Sequence, residues 1–412
     1  MNTAHTDNWI TADEYIEGMV SVVIPNYNHA KFLPHAIDSI LNQTYTNYEI
    51  IVVDDGSTDN SRQVAEGYGD QIVYIYKDNA GLSAARNTGI RRSKGEFIGL
   101  LDADDMYEPS FMQTMVGLLQ QNLNKDGAYC GYQFVSDEGI LLSQIENRIF
   151  PEETLYQTFW GANYWVPESV LMRRRCYVTA GPYDESLRSL EDWDVWLRIL
   201  AVHPIIGTPD VLIRHRALPE SMSSNPFSMV DNRLMVMKKH FGTIEDPHPE
   251  FKNDIHWIYS NAYFTATIEH LQAKENEGAF DFWTKAAAAD PALLTRSGVY
   301  YALAAGSHPK GSRGDLTGLD LAEKETLLVD FLTRLFDSSA ISIDPSTQNE
   351  AFGLAYFNLG KLAYTGNKNG QARAFLRKAV SFNNRIAKTT EFVGLYARSI
   401  VGAKTISRLK GQ

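Results

Sequence analysis

From Met19 to about Asp105 the chain alternates short β-branched runs with segments of helical pattern: VSVVIP, Lys31–Gln43, EIIVVDD, Asp59–Tyr68, IVYIY, Leu82–Arg92 and EFIGLLDADD. Such alternation builds a parallel sheet wrapped by helices. The runs are almost continuously apolar, which predicts strands buried on both faces, and polar residues gather just past their carboxyl ends. After Pro109, PSFMQTMVGLLQQN predicts a further helix. AYCGYQFV, SVLM and DVLI predict later strands, and a helix is expected from about Leu190 to Ala201.

A length of 412 residues suggests two to three domains at roughly 150 residues each. The pattern changes at FGTIEDPHPE, where two prolines and an acidic cluster precede a stretch that reads almost wholly as helix. We therefore expect an N-terminal extension over 1–18, an α/β domain over 19–242 and a helical domain over 243–412. In the last, Tyr356, Leu359, Gly360, Ala363, Ala372, Leu376 and Ala379 follow a spacing that resembles the tetratricopeptide hairpin. Ala279, Trp283, Ala286 and Pro291 repeat its second half. The copies are not a whole number of repeats apart, and the loops GSHPKGSRGD and DSSAISIDPSTQN intervene, so generic helical hairpins are the alternative reading.

Several classes are excluded or disfavoured by composition. Lys and Arg total 38 against 50 Asp and Glu, a net charge of −12 that repels polyanions, so no nucleic-acid partner is expected. Cys130 and Cys176 are too few for a disulfide framework, which fits a reducing compartment. The opening MNTAHTDNWITADEYIEG lacks the basic and apolar regions of a signal peptide, and no apolar run reaches about 18 residues. The expectation is a cytoplasmic protein.

In open parallel sheets ligands bind beyond the carboxyl ends of the strands. There the sequence places PNYN, DDGSTD and DADD, so Asp54, Asp55, Asp102, Asp104 and Asp105 are expected to face one crevice. Five carboxylates repel one another unless a cation sits among them. Carboxylate oxygens suit Mg²⁺ or Mn²⁺, which bind through one or two carboxylates plus substrate phosphates.

The segments VSVVIPNYNHAKFLPHAIDSILNQTY, EIIVVDDGSTDNS, NAGLSAARNTGI, GEFIGLLDADD and GPYDESLRSLEDWDVWLRIL, in this order and spacing, resemble the glycosyltransferases of family 2. The resemblance covers about Val20 to Ser223 and implies the GT-A fold, a mostly parallel sheet flanked by helices. Carried over residue by residue, it implies that Pro25 and Tyr27 flank the nucleotide base and that Asp54 accepts a hydrogen bond from it. Asp55 stands beside them as a donor-site candidate, while Ser57 and Asp59 read more simply as caps of the following helix. Arg86 and Asn87 would reach toward the base and the acidic site. Asp102, Ala103 and Asp104 form the Asp-x-Asp motif, with Asp104 the metal ligand and Asp102 a ligand of the ribose or the ion. His215 would complete the coordination, although SMSS begins only at Ser221, further away than the family's spacing.

Glu191 and Asp192 resemble the family's Glu-Asp motif at the start of a helix. Asp192 is the candidate base that takes the acceptor's proton, Glu191 its orienter, and Arg198 a nearby steadying charge that also counts as a donor-site candidate. Arg173, Arg174 and Arg175 could meet an anion or begin a solvated helix. Trp160, Tyr164 and Trp165 could stack on a sugar or pack in the core.

The resemblance thus implies an inverting, metal-dependent transfer of a sugar, most simply from a UDP-sugar, to a hydroxyl of a saccharide or lipid-linked acceptor in cell-surface glycan assembly. Its common setting implies work near the membrane, with peripheral contact at the inner face. PNYNHAKF is neither the G-x-G-x-x-G turn of dinucleotide oxidoreductases nor a Gly-rich nucleotidyltransferase loop. The rival from another class is a nucleotide-binding scaffold whose helical domain recruits a protein partner.

Overall fold

The computed structural model describes residues 9–218, 226–306, 318–338 and 340–401. They divide into two compact units, one of residues up to 218 with Phe227–His240, the other of Pro226 with the residues from Phe241 onward.

The first unit opens with β1 (Ile16–Asn26), α1 (Leu33–Leu41), β2 (Tyr48–Asp55), α2 (Ser61–Glu66), β3 (Val73–Lys77), α3 (Leu82–Arg92) and β4 (Gly95–Leu100). These four strands run parallel in the order β3-β2-β1-β4. In β1, Val20, Val22, Val23 and Ile24 have no exposed surface, as the unbroken apolar run predicts for a central strand. Helix α3 lies very close to that strand. A Cβ on Gly89 would stand 2.2 Å from Val23 Cγ1, so only glycine permits the approach.

The chain continues through β5 (Met106–Tyr107), α4 (Phe111–Gln121), β6 (Gly127–Val135), β7 (Leu141–Glu146), α5 (Leu155–Thr158), β8 (Val170–Arg173), α6 (Arg174–Ala180), α7 (Glu191–Leu200), β9 (Ile205–Arg216) and α8 (Pro226–Phe241). Here the pairing is mixed: β8 is antiparallel to β4 and β6, β6 is parallel to β9, and β5 is antiparallel to β9. Strand β7 extends the sheet as an antiparallel partner of β6. The result is the helix-flanked α/β sheet that the family resemblance implies, all parallel in the first half and mixed in the second. The strand ends at Asp55, Leu100 and Arg216 and the start of α7 carry the residues discussed below.

The second unit is helical among the described residues: α9 (Ile255–Gln272), α10 (Asn276–Ala289), α11 (Ser297–Ala305), α12 (Leu321–Asp337), α13 (Pro345–Thr365), α14 (Asn369–Phe382) and α15 (Thr390–Val401). Apart from Pro291, which is exposed just after α10, the residues of the repeat-like pattern lie buried on α10, α13 and α14, with Leu376 against Gly360. A Cβ on Gly360 would come within 2.9 Å of the Leu376 side chain, the close approach for which small residues are needed. Asn367, at φ 59°, turns α13 into α14. No helix of the described residues is long and apolar enough to cross a membrane.

Candidate active site

The loops after β1 and β2 are laced together by short polar side chains. Ser57 Oγ accepts from Asn26 Nδ2 at 3.1 Å and from the Asn28 amide at 2.9 Å, while Asn28 Oδ1 accepts the Thr58 amide at 2.7 Å. Asp59 takes the Ser61 amide at the start of α2 but also the Ala30 amide across the gap. Ser57 is thus a loop tie and Asp59 both tie and cap, where capping alone was expected. Pro25 is buried beside Val53, whereas Tyr27 is exposed at the crevice edge.

The two aspartates that end β2 differ from the simple picture of an open acceptor. Asp54 has no exposed surface and accepts from Tyr74 Oη at 2.7 Å and the Ser57 amide at 2.8 Å. It is placed as a pin joining β2 to β3 and the turn. Asp55 accepts from Lys77 Nζ at 2.5 Å and from the Ala80 and Gly81 amides, which fixes the start of α3. Lys77, which counters the Asp55 charge, went unnoticed in the sequence because nothing in IVYIYK marks it.

From α3, Arg86 spans the crevice. Its guanidinium is fully buried; Nη2 donates to Asp102 Oδ1 at 2.8 Å and Nη1 to Glu191 Oε1 at 2.5 Å. Burial works against the cation, but Asp102 and Glu191 outweigh it and hold the guanidinium charged. The helix stripe that carries Arg86 also carries Asn87, whose side chain clasps Tyr183 through both its backbone N–H and carbonyl and reaches Glu185 Oε1 at 2.9 Å. One turn of α3 therefore orients the end of β4 and the approach to α7.

At the start of α7, Leu190 adopts a left-handed φ of 59°, a costly conformation for a branched side chain. It delivers Glu191 to Arg86 and leaves Asp192 only partly covered. Asp192 accepts from Asn163 Nδ2 at 2.7 Å and from the Trp193 amide at 2.7 Å. Burial and then the Glu191 charge push its carboxyl up to about 7, against the opposing pull of Arg86 and these two donors. Asn163 was missed because the segment around it has no pattern, and only the fold brings it to Asp192.

Within DADD the three acids separate by partner. Asp102 is taken by Arg86, while among the described residues the Asp104 carboxylate has no hydrogen-bond partner on another residue. Burial and then Asp102 raise Asp104 above the usual carboxylate range. Asp105 is buried and joins Glu168 around His215, whose Nδ1 lies 2.8 Å from Asp105 Oδ2 and 2.6 Å from Glu168 Oε1. Asp105, Glu168 and His215 are grouped closely enough to hold a metal ion. Against its burial, the two carboxylates raise His215 well above its ordinary value, and His215 brings the buried Glu168 down to about 2. Glu168, sequence-distant from both partners, carried no signal of its own. The SMSS segment from Ser221 lies outside the described residues.

Other candidates are drawn away from the crevice. Arg198 pairs with Asp194 at 2.7 Å and donates to the carbonyls of Ala180 and Pro182, so it braces the loop before α7 and does not reach Glu191 or Asp192. Arg173 and Arg174 are drawn inward to Glu96 and Ser93, whereas Arg175 stays exposed while pairing with Asp126. Trp165 is core, packed against Tyr129 and Phe159, while Tyr164 keeps an exposed edge. Ala103 is buried between the two aspartates of its motif.

Comparison with known proteins gives this geometry a relationship. The family described as "Glycosyl transferase family 2" matches residues 21–178. An uncharacterised glycosyltransferase of Rickettsia typhi is 37% identical over 210 residues, covering 48% of this chain and 64% of the relative. The uncharacterised glycosyltransferase EpsJ of Bacillus subtilis is 35% identical over 185 residues, covering 42% of this chain and 54% of its own length. The chain therefore spans less than two thirds of these curated relatives. Among solved structures, the mannosyltransferase PcManGT of Pyrobaculum calidifontis in complex with GDP-Man and Mn²⁺ has a TM-score of 0.44 at 20% identity, covering 82% of this chain and 86% of that one. S. aureus TarS 1–349 in complex with UDP-GlcNAc has a TM-score of 0.40 at 14% identity, covering 95% and 92%. Residues 21–178 thus match glycosyltransferase family 2, and the relatives that share this part of the chain are named glycosyltransferases.

Proposed function

We propose that the chain is a metal-dependent, inverting glycosyltransferase that moves a sugar from a nucleoside-diphosphate sugar, most simply a UDP-sugar, to a hydroxyl of a saccharide or lipid-linked acceptor. The observation that carries the reading is Asp192: a carboxylate held by Asn163 and the Trp193 amide, partly accessible, and pushed up to about 7. A base is most effective when its pKa lies near the working pH. As the acceptor oxygen bonds to the anomeric carbon and the bond to the diphosphate breaks, Asp192 takes the hydroxyl proton. Glu191, fixed by Arg86, orients that end of the crevice.

The donor set fits a divalent cation. Among the described residues Asp104 offers a carboxylate with no hydrogen-bond partner on another residue, and His215 has its Nδ1 held by two carboxylates, the arrangement that commonly directs the other ring nitrogen to a metal. Asp104, with His215 and the edge of Asp102, would hold Mn²⁺ or Mg²⁺. When bound, the ion supplies counter-charge to the departing diphosphate. Cell-surface glycan assembly at the inner face of the membrane is the setting we infer from the family. The helical unit, with its hairpins resembling tetratricopeptide repeats, is our candidate for docking a protein partner.

A screen of UDP- and GDP-sugars, with and without Mn²⁺, for release of the nucleoside diphosphate tests the proposal. Turnover with at least one donor, dependent on the ion, is expected. Tight nucleotide binding without turnover on any acceptor would favour the scaffold reading instead.

A further inference from the structure

Beside the start of α3 lies a cavity of about 90 Å³ walled by Gly81, Leu82, Ser83, Glu185, Leu187 and Arg188. About 10–15 Å³ of such space admits a water, so the cavity holds a group of several heavy atoms. Helix α3 runs for 11 residues from Gly81, at φ 97°, and its start has no side-chain cap. The first amides of a helix lack carbonyl partners within it and, with the helix dipole, favour an anion. Asp55 takes the Ala80 and Gly81 amides, which precede the helix, and leaves those of Leu82 and Ser83, two residues of the cavity wall.

Two side chains supply what a helix terminus alone does not. Ser83 is 4% exposed, and its Oγ is buried with no hydrogen-bond partner. It lies one turn before Arg86 and Asn87, on the stripe whose side chains reach Glu191, Tyr183 and Glu185, so it faces the 183–191 loop across the cavity. A buried hydroxyl left unpaired is costly, and a ligand in the cavity would satisfy it. Arg188 brings a guanidinium whose Nη1 would be 3.1 Å from a Cβ on Gly81, and no carboxylate among the described residues pairs with it. A side chain at position 81 would fill this cradle.

We infer that this cavity is a binding site for a phosphate group, held by the α3 amides, Ser83 and Arg188. The inference does not depend on the transferase reading. Glu185 refines it: one of its oxygens accepts from Asn87, and the carboxylate at the wall repels a fully deprotonated oxyanion but accepts from a P–OH. Monohydrogen phosphate, which keeps a P–OH at neutral pH, should therefore bind in preference to sulfate, which carries no proton, and a phosphomonoester should gain as pH falls toward its second pKa of about 6.

The test is calorimetric titration of the full chain with inorganic phosphate and with sulfate at matched ionic strength, repeated on Arg188→Gln and Ser83→Ala. Phosphate should bind at least tenfold more tightly than sulfate, and each variant should weaken phosphate by roughly 10- to 100-fold, the worth of a hydrogen bond to a charged group. Uridine and UMP separate the sources of the phosphate. A preference for UMP that Arg188→Gln abolishes would assign the site to a nucleotide, whereas equal binding of UMP and uridine with phosphate still bound would assign it to the free ion. No phosphate binding, or phosphate binding unchanged in both variants, would overturn the site, and sulfate binding as tightly as phosphate would overturn the role given to Glu185.

Discussion

Replacing Asp192 by asparagine separates proton transfer from binding. The carboxylate now accepts two hydrogen bonds, from Asn163 Nδ2 and the Trp193 amide, one at each oxygen. An amide has one accepting oxygen, so one of the two is lost at a cost of about 1 kcal/mol in stability. The catalytic loss is larger. General-base assistance is worth about 10² to 10⁴ in rate, or roughly 2.7 to 5.4 kcal/mol at 1.36 kcal/mol per decade. Donor affinity should change by no more than a few fold, since the proposal assigns Asp192 to the acceptor hydroxyl. The pH profile carries the second half of the prediction. With the carboxyl pushed up to about 7, the native enzyme should lose rate about tenfold for each pH unit below that value, because the base is then protonated. Asp192→Asn should flatten this acid limb. Initial rates of nucleoside-diphosphate release from pH 5 to 9, for native protein and variant, measure both effects. An undiminished rate, or an acid limb that survives the substitution, would refute the assignment of the base.

Asp104→Ala should abolish stimulation by Mn²⁺ while leaving the unfolding midpoint nearly unchanged, because among the described residues that carboxylate has no partner to lose; metal titrations followed by a melting curve check both. Gly89→Ala drives a methyl to 2.2 Å from Val23 Cγ1 and should destabilise the first unit by about 1–3 kcal/mol, read from urea unfolding. Asp194 has no exposed surface and holds Arg198, Lys239 and His240, which outweigh burial and keep its carboxyl well below the usual range. It therefore contributes stability fully above the unfolded value of about 3.9, lost as pH falls through its folded value, and Asp194→Ala should cost about 3–5 kcal/mol at neutral pH without altering the acid limb of the rate.

What could be read in the sequence was what local physics writes locally. The runs around Val22, Ile51 and Ile98 are apolar on both faces because central strands must be, and the bounds of α3 follow from Gly81 at one end and the basic pair Arg91 and Arg92 at the other. Arg86, Glu191 and Asp192 stood out through motif spacing. The direction of β8 did not, since SVLM reads the same for either pairing. Asn163 and Glu168 are polar residues in unpatterned chain, and their partners at Asp192 and His215 lie far along the sequence. Arg198 shows the converse: its place in a motif-like helix suggested the acidic pair, but the side chain extends along α7 to Asp194, one helical turn earlier.

The bridge formed by Arg86 has a consequence beyond holding the crevice in shape. One positive charge is divided between Asp102, at the wall that would meet the donor, and Glu191, beside the group that would meet the acceptor. A ligand that draws Asp102 toward itself leaves a larger share of the guanidinium to Glu191, and a change at Glu191 returns to Asp102. Free energies of binding are reciprocal, so occupancy at one wall must alter affinity at the other by the same factor in both directions. Affinity at the two walls is thereby coupled through a single shared guanidinium, with no moving segment required.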